Sequence, residues 1–201
     1  MKEITQHLDE TAEEALRTII GKLNVGFYFP DAWIRVEGEG FDVSSLSIPT
    51  GQDNFVVITC EWSDTLEDYI DIYYLRVSVD DRAVDIGASR DENGPSGWGF
   101  DHVSMLQTYD WTIIEKISIY ELFTAGTHES VRCDRAILFK YGKGEVLVST
   151  GRTLPGRFEI NYKPDVIGEI LATYELRKEI TDDNALQIGL SEKAKIQSVT
   201  V

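Results

Sequence analysis

Positive charge is scarce: 19 lysines and arginines stand against 35 aspartates and glutamates, giving a net charge of −16 over 201 residues. Such a surface repels phosphate, so no nucleic-acid partner is expected. Cysteine is nearly absent. Cys60 and Cys133 are too few for a disulfide framework, and each sits in a strand-like run (VVITCEW and SVRCDRAILF), where a reduced, packed thiol is expected. Only three histidines occur, His7, His102 and His128, and none has a His or Cys neighbour at ligand spacing. No metal site is expected. No apolar run approaches the roughly 18 residues of a membrane helix. The opening MKEITQHLDETAEEAL also lacks the apolar stretch of a secretory signal. The expectation is a soluble cytoplasmic chain with no membrane partner.

The short motifs of catalysis and cofactor binding are missing too. GKGEV (142–146) lacks the spacing and the Ser/Thr of a phosphate-binding loop, and GEGF (38–41) has no strand–helix unit around it. Neither G-x-S-x-G nor S-x-x-K is present. No cofactor and no catalytic residue are assigned from motifs.

What is present is a globular composition, 42% hydrophobic and 10% aromatic, in a chain long enough to bury a core. Thr5 to Leu23 reads as an amphipathic helix through Leu8, Ala12, Ala15, Leu16, Ile19, Ile20 and Leu23. After it the period changes to short runs rich in β-branched and aromatic residues: VGFYF, WIRVE, FDVSSLSI and NFVVITCEW. YIDIYYLRVSV (69–79) and AVDIGAS (83–89) read as one hairpin. VRCDRAILFKY (131–141) and EVLVS (145–149) read as another, offset by 62 residues, which raises an internal duplication as an alternative. WTIIEKISIYEL (111–122) and RFEINY (157–162) add strands, and Pro164 opens a second helix with Arg177 and Lys178 toward its C-terminal end. KIQSVTV could close the chain as an edge strand. The expected class is α+β, predominantly antiparallel sheet in two hairpin units, with an N-terminal and a C-terminal-region helix. One domain over 1–201 is expected, with two halves, about 1–110 and 111–201, as the alternative.

Two segments are candidate sites. In EWSDTLEDYIDIYY (61–74), Glu61, Asp64, Glu67, Asp68 and Asp71 interleave with Trp62, Tyr69 and further tyrosines. Aromatic anchors carry interface energy and clustered carboxylates steer a basic partner. A charge run is also often only a solvated turn beside a strand. In composition this segment resembles the inhibitory surfaces of colicin-type DNase immunity proteins, although no motif of that family is present and its small helical fold does not fit these patterns. In RDENGPSGWGFDHV (90–103), Arg90, Asp91, Trp98, Asp101 and His102 could converge on a ligand, joined by Arg152 from the companion stretch STGRTLPGRFE. The plainer reading is a connecting loop, because Asn93-Gly94-Pro95 is turn chemistry.

The acidic excess is uneven and would attract a basic partner: residues 1–100 hold 7 basic and 20 acidic residues, and residues 101–201 hold 12 and 15. The functional expectation is therefore a non-enzymatic module that binds a basic protein, in its sharpest form an immunity protein that covers a nuclease toxin. The alternatives are a small-molecule enzyme using carboxylate and His chemistry in the 90–102 loop, and a ligand-binding β-barrel.

Overall fold

The computed structural model describes residues 1–24, 26–30, 32–34, 40–50, 54–83, 87–91, 94–99, 104–106, 112–142, 144–150 and 156–182. The chain begins with β1 (Lys2–Gln6) and α1 (Glu10–Arg17). Short strands follow: β2 (Leu23–Asn24), β3 (Phe27–Phe29), β4 (Trp33–Ile34), β5 (Phe41–Val43) and β6 (Ser45–Pro49). Two ten-residue strands come next, β7 (Phe55–Asp64) and β8 (Asp71–Asp80), then β9 (Gly87–Asp91), β10 (Gly94–Gly99) and β11 (Ser104–Leu106). The remainder carries β12 (Thr112–Ala125), β13 (Glu129–Tyr141), β14 (Gly144–Ser149), β15 (Phe158–Asn161), α2 (Pro164–Leu171) and β16 (Glu175–Thr181).

The class is α+β and mostly antiparallel. One sheet runs β16-β12-β13-β14-β15-β5-β4, with β1 added parallel to the start of β13 and β2 added to β12. A second runs β11-β3-β6-β7-β8, and β9 pairs only with β10. Alternation on these strands gives the two sheets facing apolar sides: Ile117, Ile119, Ile137, Phe139, Val148 and Phe158 from the first, Phe27, Leu46, Ile48, Val56, Ile58 and Leu75 from the second. Leu8, Ala12, Ala15 and Leu16 of the α1 region complete this core. On the other side of the first sheet, Val166, Ile167 and Ile170 of α2 pack on Ala136, Leu138 and Leu147.

Both helices are shorter than the sequence suggests. Thr5 and Gln6 pair with Arg132 and Cys133, so the apolar spacing that reads as helix begins in a strand. α1 starts where Asp9 caps it, its side chain accepting from the Ala12 N–H at 2.8 Å. The helix ends at Arg17; Ile19 and Ile20 stay buried in a turn closed by Gly21, at φ +73°, whose N–H reaches Ile114 O at 2.9 Å. α2 begins with Pro164 as expected but stops at Leu171, and Arg177 and Lys178 belong to strand β16. Tertiary pairing with β12 overrides their helical spacing.

Of the two expected hairpins, 131–141 with 145–149 forms as β13–β14. The other does not: β8 pairs along its length with β7, and β9 pairs with β10. The 62-residue offset therefore relates a paired connection to an unpaired one. The expected terminal strand KIQSVTV lies outside the described residues. Among those residues, no helix is long and apolar enough to cross a membrane, and the first sheet runs between edges at β16 and β4.

Two β-bulges flank Tyr120 of β12, one in each neighbouring strand. Arg135 is the unopposed residue of β13 and Arg177 that of β16. The bulge at Arg177 turns its guanidinium onto Asp134, with Nε and Nη2 donating at 2.7 and 2.8 Å. The Leu8 N–H donates to the same carboxylate at 2.7 Å. Glu13 of α1 accepts from Arg177 at 3.0 Å and from Lys178. Burial raises Glu13, but these two cations more than offset it and hold it below its usual value; at Asp134 burial wins and the carboxyl is raised. Asp134→Ala would strand Arg177, whose side chain is only 18% exposed. A loss of about 3–5 kcal/mol is expected in urea unfolding, and Asp134→Ala/Arg177→Met should recover part of it.

Candidate functional site

The segment singled out as acidic and aromatic forms the far end of the β7–β8 hairpin. Trp62 lies opposite Tyr73 and Asp64 opposite Asp71, so positions 62, 64, 71 and 73 share one face and 61, 63, 72 and 74 the other. On the second face Ile72 is buried against Val131 and Cys133, with Ile70, Tyr74 and Ile4 beside them. The hairpin thus rests one side on β1 and β13. On the other side Tyr73 packs against the main core, whereas Trp62 is 50% exposed and its Nε1–H donates to Asp71 at 3.2 Å. At the turn, Leu66 and Tyr69 are 79% and 74% exposed. Asp64, Glu67 and Asp71 are exposed around them, and no cation of the described residues pairs with any of the three.

The turn is held by a reciprocal clasp. Asp68 Oδ2 accepts the N–H groups of His128 and Glu129, both at 2.7 Å. Glu129, 1% exposed, returns its Oε2 to the N–H groups of Glu67 at 2.9 Å and Asp68 at 3.3 Å. The Thr65 hydroxyl accepts from the Ile70 N–H at 3.0 Å. Gly126 fits because a Cβ there would lie 2.4 Å from Asp68 Oδ2. In this setting Tyr69 adopts φ +53°, the one non-glycine residue with positive φ among those described. Such a conformation persists only where its surroundings fix it, and costs on the order of 1–3 kcal/mol.

The seven residues named from sequence therefore divide. Trp62, Asp64, Glu67, Tyr69 and Asp71 form the exposed tip. Asp68 is spent on the clasp. Glu61 faces the other way, where Oε1 accepts from Arg76 Nη1 at 2.6 Å and Oε2 from the Tyr74 hydroxyl at 2.8 Å. The Arg76 bond is the main reason the Glu61 carboxyl lies below its usual value.

Glu61 leads into a cavity of about 280 Å³ that the sequence did not suggest, lined by Gln6, His7, Leu8, Asp9 and Ala12 on one wall and Glu61 with Tyr74–Val77 on the other. His7 Nε2 lies 2.7 Å from Glu121 Oε2, and Arg132 donates to the other Glu121 oxygen at 2.8 Å. A histidine oriented by a carboxylate is suited to general-base work. Among the described residues the lining supplies no Ser, Cys or Lys nucleophile, and its one guanidinium is committed to Glu61. His7 was invisible as a candidate because its partner is 114 positions away.

The second segment is a hairpin where a loop was the plainer reading. Arg90 and Asp91 lie on β9 opposite Pro95 and Gly94, and Trp98 lies on β10 opposite Ala88, with a register shift between Pro95 and Gly97. Asp101, His102 and Arg152 lie outside the described residues. Comparison with protein-family models, curated proteins and solved structures found no match.

The clasp has a pH signature. Hydrogen bonds from the N–H groups of Glu129 and His128 hold Asp68 below its ordinary value of 3.8. A depressed folded value means the stabilisation is complete above the unfolded value and lost as pH falls through the folded one. Asp68→Asn should therefore lower Tm near pH 6 and flatten the fall of Tm below about pH 3.8, read by thermal melts across pH 2–7.

Proposed function

We propose that this protein is a non-enzymatic binding module that engages a basic protein through the tip of the β7–β8 hairpin. The observation that carries the reading is the joint exposure of Trp62, Leu66 and Tyr69 within a ring of carboxylates, Asp64, Glu67 and Asp71, that lack cationic partners among the described residues. Large apolar side chains supply contact energy once desolvated, while unneutralised carboxylates attract a cationic surface and set its orientation. The clasp fixes the tip beforehand, so less conformational entropy is lost on association. A toxin nuclease, whose working surface holds phosphates, is the sharpest form of such a partner. An inhibitor of that kind would act by occupying the surface and would need no catalytic group.

Capture from host lysate over a salt series, followed by titration with the purified captured protein, tests the reading. Wild type should retain one stoichiometric basic protein at low salt and lose association rate as salt rises. Asp64→Lys/Glu67→Lys/Asp71→Lys should abolish capture, and Trp62→Ala should weaken the purified pair by about 2 kcal/mol or more. Glu10→Lys/Glu14→Lys, on the exposed side of α1, should leave it intact. Equal capture by the tip and helix variants would reduce the tip to an ordinary solvated surface.

A further inference from the structure

Arg135 is a buried cation without a counter-charge. The residue is 8% exposed, and its neighbour Asp134 is taken up by Arg177 and Leu8. Its Nε–H donates to the Thr150 hydroxyl at 2.9 Å, and its guanidinium carbon lies 5.4 Å from the centre of the Tyr73 ring. Among the described residues no carboxylate pairs with it and its two terminal nitrogens have no acceptor; neither is fully buried, so both reach solvent. The position is built with care: Thr150 N–H donates to Arg135 O at 2.8 Å, the Tyr174 hydroxyl donates to Thr150 O at 2.8 Å, and the Thr150 hydroxyl reaches Tyr73 O at 3.4 Å. The two cysteines, close enough to feel this charge, do not neutralise it, since burial pushes both thiols up to about 11 and keeps them protonated near neutral pH.

A guanidinium keeps its charge near neutral pH, and the packed side chain of Arg135 carries two unpaired terminal nitrogens to the edge of solvent. The bulge at Arg135 places this fork beside Thr150, which three hydrogen bonds hold in position. We propose that Arg135 and Thr150 form a binding site for a small oxyanion, a phosphate or carboxylate group, received on the two terminal nitrogens of the guanidinium. The planar fork of those nitrogens matches two oxygens of such a group, and the Tyr73 ring closes one side of the guanidinium. At 8% exposure the site suits a small free anion and not the surface of a folded partner. In a chain of net charge −16 the long-range field opposes anions, so affinity arises from the local pair geometry and the low local dielectric.

The test is thermal unfolding of the full chain at constant ionic strength, titrating inorganic phosphate or acetate against chloride. One of the two should raise Tm by about 3 °C at ten times its Kd, and which one does separates a phosphate from a carboxylate ligand. Arg135→Met should remove that response, whereas Arg76→Gln, at an exposed and paired guanidinium, should keep it. If Arg135→Met does not fold, Arg135→Lys, which keeps the charge without the fork, should bind at least about tenfold more weakly. The proposal is overturned if neither anion raises Tm above chloride, if the Arg135 variants respond as wild type does, or if Arg76→Gln loses the response.

Discussion

The carboxylate of Asp134 ties together parts of the chain that are far apart in sequence. It is fully buried, and its two oxygens take up the Arg177 fork from β16 and the backbone N–H of Leu8 at the start of α1. This seats α1 against the sheet, and Glu13 on the next turn completes the contact with Arg177 and Lys178. Two bulges make it possible. Without the extra residue in β16, Arg177 would keep the strict alternation of the strand and point away from Asp134. Removing one partner leaves the other charged and buried, so the interaction is a constraint on the fold more than a reserve of stability.

From that junction the chemistry spreads in two directions along β13. Toward its start, β13 carries Glu129 and the clasp that fixes the β7–β8 tip. At the bulge itself Arg135 turns away from the Asp134 pair toward Tyr73 and Thr150. One strand therefore supports the tip, locks α1 and places the uncompensated guanidinium. The cavity beside His7 lies between these features, lined by the residues that lead into α1 and by β8.

Strand patterning was legible because β-branched and aromatic residues gather in short runs. NFVVITCEW and VRCDRAILFKY are such runs and are buried along most of their length, and Pro164 marks a helix start through local chemistry. What was not legible depended on pairing across sequence distance. Thr5 and Gln6 join a helix-like pattern only until β13 offers them backbone partners, and Arg177 reads as a helix terminus until β12 does. The hairpin of β8 was assigned to the wrong neighbour because Asp80-Asp81-Arg82 looks like a turn, whereas the true turn, 65–70, is a wider loop stabilised by Glu129 from elsewhere. The acidic and aromatic segment was visible as a candidate, but not which of its acids are free of partners among the described residues. Composition cannot distinguish Asp68, which accepts two backbone N–H groups, from Asp64, which accepts none from the described residues.

That distinction bears on how the charge of −16 is to be understood. Asp134, Glu13, Glu121 and Glu129 are inside or nearly so and are matched by cations or N–H groups; they shape the fold and contribute little outward field. The carboxylates at the tip are unmatched and lie beside three large exposed apolar side chains. Mutual repulsion and exposed apolar area are both unfavourable in water, and the Tyr69 backbone adds a strained conformation to them. A solvated turn would relax all three by opening, since a hairpin end is free to fray. Here the Asp68–Glu129 clasp and the packing of Ile70 and Ile72 prevent that relaxation. On the proposed reading, the buried carboxylate is spent on holding acids and aromatics together in the open, and a cationic surface would relieve the repulsion and cover the apolar area in a single step.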